Sequence, residues 1–166
     1  MDALLVLQCE HMDTVAVFIA QYLYLFVSLT GVIFFFLHPR KIQKSMIVCG
    51  VIIALFAYIA SRIAGFLYYD PRPFVIGHFI PLIAHAPDNG FPSDHVLLTG
   101  AIAMVIWFYN KKLSFALWTV ALLIGWARVY GGIHHVADIA GSIAIVLAAG
   151  GVYALVMSKR RKPLLP

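Results

Sequence analysis

Arg128, His134 and Asp138 fall close together in the second half of the chain. At helical spacing His134 and Asp138 stand at i and i+4 on one face, where the carboxylate can accept a bond from the ring and fix its tautomer. The other ring nitrogen is then free to act as a nucleophile. A structural hydrogen bond would use the same pair, but such groups are costly in so apolar a chain unless they are used. His135 falls elsewhere on the helix and reads as an interfacial polar residue.

Upstream, Gly90-Phe91-Pro92-Ser93-Asp94-His95 ends a polar loop and opens an apolar run. Ser93 is placed as a helix cap, and the free N–H groups that follow, with the helix dipole, favour an anion such as phosphate. Taken alone, Ser93 reads as an ordinary cap; beside His95 and the arginines, the anion reading gains. Asp94 would repel phosphate, so its side chain should turn away or pair with an arginine. Arg72 and Arg128 offer planar forks matched to phosphate oxygens. Asp70 could instead neutralise Arg72. Arg62 lies about two to three helical turns deeper and could snorkel outward or reach the site. These groups point to phosphate transfer. The acids do not cluster with ligand spacing, so neither a metal nor another cofactor is expected.

The elements that must position these groups are membrane helices. Of 166 residues, 63% are hydrophobic and 11% charged, and the mean hydropathy is +0.93, a balance no solvated soluble domain sustains. The expected fold is all-α, a polytopic membrane helix bundle forming one domain over residues 1–166. Thr14 to Leu37, Met46 to Tyr68, Ser93 to Tyr109, Leu113 to Val129 and His134 to Met157 read as five spans. Met1 to Asp13 is too short to cross and reads as an interfacial helix. Pro71 to Pro92, with five prolines, reads as a long irregular connection, partly re-entrant around Phe79 to Ala84. Glycine and alanine in the last span permit close helix approach. Cys9 and Cys49 lack metal-ligand spacing, and Cys49 reads as a buried small residue. No cleavable signal peptide is read at the N-terminus.

Charge orients the bundle. Nine of the 12 Lys and Arg (Arg40, Lys41, Lys44, Lys111, Lys112, Lys159, Arg160, Arg161, Lys162) fall in two turns and the tail, which five spans place on one face. The positive-inside rule makes that face cytoplasmic. Arg62, Arg72, Arg128 and all the acids lie toward the other face. The basic balance is thus an insertion signal, and nucleic acid is not an expected partner.

Three ordered motifs, Arg72-Pro73, Pro92-Ser93-Asp94-His95, and Arg128 followed by His134 and Asp138, resemble the signature of the type 2 phosphatidic acid phosphatase superfamily. Its pattern is Lys-x6-Arg-Pro, Pro-Ser-x-His, then Ser-Arg-x5-His-x3-Asp. The likeness covers about Arg62 to Asp138. Asp70-Pro71-Arg72-Pro73-Phe74 and Phe91-Pro92-Ser93-Asp94-His95 are similar to the bacterial undecaprenyl pyrophosphate phosphatases associated with bacitracin resistance. Two positions depart from the pattern. Gly65 stands where the family has its lysine, leaving Arg62 as the nearest cation and a partial substitute, and Ala127 replaces the serine before Arg128.

The resemblance implies an enzyme in which His134 attacks the terminal phosphorus, Asp138 stabilises the imidazole, and His95 protonates the leaving oxygen. Arg72, Arg128, the Ser93 region and Arg62 would hold the phosphate oxygens. It implies a polyprenyl pyrophosphate substrate in the bacterial cytoplasmic membrane, hydrolysed at the outer face to recycle the carrier lipid for cell-wall synthesis. A phosphatase for phosphatidylglycerol phosphate or diacylglycerol pyrophosphate, or a small lipid transporter, remain the alternatives.

Overall fold

Proline and asparagine set the helix starts at one end of the molecule. Pro39 caps the second long helix with φ −64°, and the Asn110 side chain accepts a bond from the Leu113 amide at 3.0 Å to cap another. The structure, a computed structural model, describes residues 3–160. Its helices are α1 (Ala3–Phe36), α2 (Arg40–Leu67), α3 (Pro73–Gly77), α4 (Asp94–Trp107), α5 (Lys111–Tyr130) and α6 (Val136–Arg160). Among the described residues there is no strand, only an isolated bridge between Pro71 and Asn89.

Four helices, α1, α2, α5 and α6, are long and apolar enough to cross a membrane. The fifth, α4, is apolar with 14 residues, about 21 Å at the usual helical rise. It lies at the centre, touching all four long helices, whereas α1 barely meets α2 and α5 barely meets α6. Val27, Ile106, Leu117 and Ile124 join α1, α4 and α5; Cys49, Ile53, Met104 and Val146 join α2, α4 and α6. Large apolar side chains such as Phe18, Leu29, Leu55 and Leu155 stay exposed, as lipid-facing surface should. Lipid is as apolar as they are, so close fit and buried hydroxyls hold the helices together. Ser114 donates to the Ala103 carbonyl at 2.7 Å, tying α5 to α4.

This is the all-helical membrane bundle expected from the sequence, with two differences. The N-terminal stretch forms no separate interfacial helix: from Ala3 it is already the leading part of α1, because no helix breaker separates the two. Residues 1–2 lie outside the described residues. The connection from 68 to 93 is also more ordered than its prolines suggested. Pro73 starts the short α3, since proline suits a first helical turn. The stretch from Phe79 to Ala84 is tied to the rest of the bundle. Leu82 donates to the Gly131 carbonyl at 3.1 Å, and Ile83 is buried with Ala20, Ala127 and Ile133. Gly132 sits at φ +75°, where an added Cβ would come 2.6 Å from the Phe79 ring. Only glycine suits both the left-handed backbone and that contact.

The two ends of the bundle are distinct. Ser45 and Tyr109 meet at 2.9 Å and the Phe108 and Tyr153 rings at 4.6 Å, gathering the short basic turns at one end. Arg161 and Lys162 lie outside the described residues. The motif segments gather at the other end.

Candidate active site

His134 and Asp138 pair across a helix start, not along a helix. α6 begins at Val136, so His134 lies in the turn before it and Asp138 in its first turn. The Asp138 carboxylate, fully buried, uses Oδ2 twice: His134 Nδ1 donates at 3.0 Å and the His135 amide at 2.8 Å. A carboxylate only accepts, so the hydrogen of His134 sits on Nδ1. Nε2 lies 3.3 Å from Arg128 NH2, and a guanidinium only donates, so Nε2 presents its lone pair. Helix start and arginine together select one tautomer. Burial pushes the His134 pKa down, the Asp138 bond opposes this, and the charges of Arg128 and Arg72 add to the lowering. The imidazole is therefore held neutral, as a nucleophile requires.

The two arginines are buried and anchored differently. Arg72 Nε donates to Asp88 at 2.7 Å and NH1 to the Ile133 carbonyl at 2.8 Å. Asp70 does not neutralise it. The Asp70 carboxylate faces His135, with Oδ2 3.3 Å from Nδ1, because its amide and carbonyl are held by Asn89 Oδ1 and the Gly90 amide. Burial pushes Asp88 up, but the bond to Arg72 and its charge outweigh this and hold the carboxyl below its usual range. Arg128 is held more loosely. Its NH1 reaches the Ala20 carbonyl at 3.4 Å, and its Nε is buried with no hydrogen-bond partner.

Both arginines and His134 line one cavity of about 630 Å³, together with His95, Asp94 and Arg62. His95, the second residue of α4, lies edge-on to Tyr24 at 4.9 Å between ring centroids. Arg62 reaches the cavity from α2, one turn below Gly65. A Cβ at Gly65 would come 3.0 Å from the Phe91 carbonyl oxygen, so a side chain there would need the motif loop to give by a few tenths of an ångström.

Three expectations need correction. Ser93 precedes α4, but its hydroxyl makes no capping bond; it is fully buried with no partner and stands behind the cavity wall. Asp94 forms no ion pair among the described residues and remains exposed on the cavity lining. His135 is no bystander at the interface: its amide holds Asp138.

The sequence reading passed over His85, Asp88 and Asn89. His85 lines the cavity, with its ring centroid 6.5 Å from that of His134; burial, then Arg72 and Arg128, lower its pKa. Asn89 Nδ2 donates to the Gly65 carbonyl at 2.8 Å, and Oδ1 accepts from the Asp70 and Phe91 amides, so one side chain ties α2 to both motif loops. Their signal was a run of polar residues placed just before the Pro-Ser-Asp-His turn.

A buried imidazole oriented by a carboxylate and kept neutral by burial and two arginine charges, at one end of a lipid-facing bundle, defines a membrane phosphatase class of site. A sequence model of the PAP2 superfamily matches residues 44–162, and the chain belongs to that superfamily and is a phosphatase. The undecaprenyl-diphosphatase BcrC of Bacillus subtilis is 29% identical over 142 residues, covering 86% of this chain and 73% of the relative. The bacitracin transport permease protein BcrC of Bacillus licheniformis is 31% identical, covering 83% of this chain and 68% of the relative. The crystal structure of Aquifex aeolicus LpxE shares the fold, with a TM-score of 0.64 at 22% identity over 86% of each chain.

Proposed function

We propose that this chain, acting as one membrane-embedded unit over residues 1–166, hydrolyses undecaprenyl pyrophosphate to undecaprenyl phosphate and inorganic phosphate. The observation that carries the chemistry is the His134 Nδ1 to Asp138 bond of 3.0 Å, which leaves Nε2 as the free nucleophile in a cationic cavity. The substrate rests on the similarity to the undecaprenyl-diphosphatase of Bacillus subtilis and on the lipid-facing surface around the site.

Arg128 lies against the Nε2 lone pair; a bound phosphate draws the guanidinium onto its own oxygens and uncovers the nitrogen. Nε2 attacks the terminal phosphorus in line, the bond to the bridging oxygen breaks, and His95 gives that oxygen its proton. Asp138 stabilises the charge left on the imidazole. Neutral His95 then takes a proton from water, which attacks the phosphohistidine and releases phosphate. Arg72, Arg128 and the amides of the Ser93 turn hold the equatorial oxygens, where stabilisation counts most. Arg62 stands in part for the family lysine that Gly65 replaces and meets the second phosphate.

The basic turns at the opposite end of the bundle support an outward-facing site in the cytoplasmic membrane. There the enzyme recycles carrier lipid, and its loss sensitises cells to bacitracin.

The test is phosphate release by purified protein in detergent, with a chelator present. Undecaprenyl pyrophosphate should exceed phosphatidylglycerol phosphate and diacylglycerol pyrophosphate in kcat/KM by about tenfold or more, and His134→Ala should release none. A preference for a glycerolipid would overturn the substrate; an active His134→Ala would overturn the nucleophile.

A further inference from the structure

One oxygen beside the nucleophile has no donor. Asp138 Oδ2 accepts from His134 and His135, while Oδ1 is buried without a hydrogen-bond partner. A carboxylate oxygen taken out of water and left unpaired is costly, so a donor is expected close by. Two side chains are near enough. Asp70 and His135 each offer an atom within 4.8 Å of the Asp138 carboxylate and of each other.

The two candidates differ in aim. His135 Nδ1 is 3.3 Å from Asp70 Oδ2, yet it makes no aligned hydrogen bond and is itself buried without a partner. It is poorly placed to deliver a proton. Asp70 is fixed at its backbone, its amide bonded to Asn89 Oδ1 at 2.9 Å and its carbonyl to the Gly90 amide at 2.8 Å. Its side chain is only 13% exposed. Arg72, two residues on, is turned to Asp88 and Ile133 and leaves Asp70 uncompensated. Two carboxylates so close and so desolvated do not both stay charged; one keeps a proton and becomes a donor. Burial, then the charge of Asp138, raise the Asp70 carboxyl above its usual range.

We infer that Asp70 is a positioning residue for catalysis: as a neutral acid it donates a hydrogen bond to Oδ1 of Asp138 and so locks the carboxylate that orients His134. This rests on His134 being the nucleophile. The arrangement is a relay of orientation from the Asp70 loop through Asp138 to Nδ1 of His134, and Asp70 itself never touches substrate. A divalent cation held by the same three side chains is the competing occupant, and the test separates the two.

The experiment compares Asp70→Asn with Asp70→Ala in the full-length protein, with undecaprenyl pyrophosphate as substrate. An amide keeps a permanent N–H donor in the same shape; alanine removes it. Asp70→Ala should lower kcat about tenfold or more with KM little changed, as for other partners that orient a catalytic histidine pair. Asp70→Asn should restore kcat to within about threefold of the parent. Asn falling as far as Ala overturns the inference, since a charged partner of His135 or a cation ligand would fail in both; Ala retaining full kcat overturns it too. If Asp70→Ala does not purify folded, Asp70→Ser, too short to reach, takes its place. His134→Ala, run alongside, separates the two readings: if it is active the nucleophile assignment fails, and if it is inactive while Asn equals Ala only the role of Asp70 fails.

Discussion

The two ends of this bundle solve the same problem in opposite ways. At the basic end the chain reverses within a few residues between α1 and α2 and between α4 and α5, and its lysines stay exposed, Lys111 with its Nζ over the Trp107 ring. At the site end Arg72 and Arg128 are 5% and 4% exposed, and the chain between α2 and α4 is long and folded around them. A charge in an apolar chain needs either water or built partners. The loops of the site end are those partners: the Ile133 carbonyl, Asp88 and Asn89 exist in their positions to hold groups that lipid would reject. Substitutions there should change chemistry, and substitutions at the basic end should change stability alone.

The sharpest break of that contrast is Arg128→Ala, which removes the cation nearest Nε2. We expect kcat to fall about 10²- to 10³-fold, the usual loss for one group stabilising transition-state charge, with steady-state phosphate release as the readout. Acidification comes next. Burial, against the Asp138 bond and with help from Arg128 and Arg72, lowers the His134 pKa, and protonating Nε2 stops attack. The acid limb of kcat/KM should therefore lie below the ordinary imidazole value of about 6.5, and a pH profile with the limb above that value would contradict the site geometry. Arg62→Ala should raise KM for the pyrophosphate lipid about five- to tenfold with kcat little changed, the pattern of lost uniform binding. At the other end, Asn110→Ala removes the α5 cap and should cost about 1 kcal/mol of stability, seen as a lower thermal midpoint with unchanged kcat.

Much of this was legible in the sequence because membrane helices write themselves in composition. The five apolar segments, the basic turns and the spacing of Arg128, His134 and Asp138 all carried through to the fold. Helical periodicity put the histidine and aspartate on one helix face, whereas the structure begins the helix only at Val136 and pairs them across its start; the contact was right and its cause was different. The role of Asn89 could not be read, because one side chain bonding four backbone groups depends on loops that only tertiary structure closes. Ser93 takes the N-cap position but makes no side-chain cap bond, for a related reason. Packing of α4 against α6 buries its hydroxyl, while Ser142 donates to its carbonyl at 3.0 Å. Asp70 stood only as an alternative partner for Arg72 from adjacency, and its backbone bonds to Asn89 and Gly90 leave its carboxylate facing His135 instead.

The central claim is that His134 Nε2 becomes covalently phosphorylated. Rapid quenching of the protein with undecaprenyl pyrophosphate labelled in the terminal phosphate tests it directly. The account predicts acid-labile, base-stable label on the peptide that contains His134, absent from His134→Ala; label on another residue, or full turnover by that variant, would contradict it.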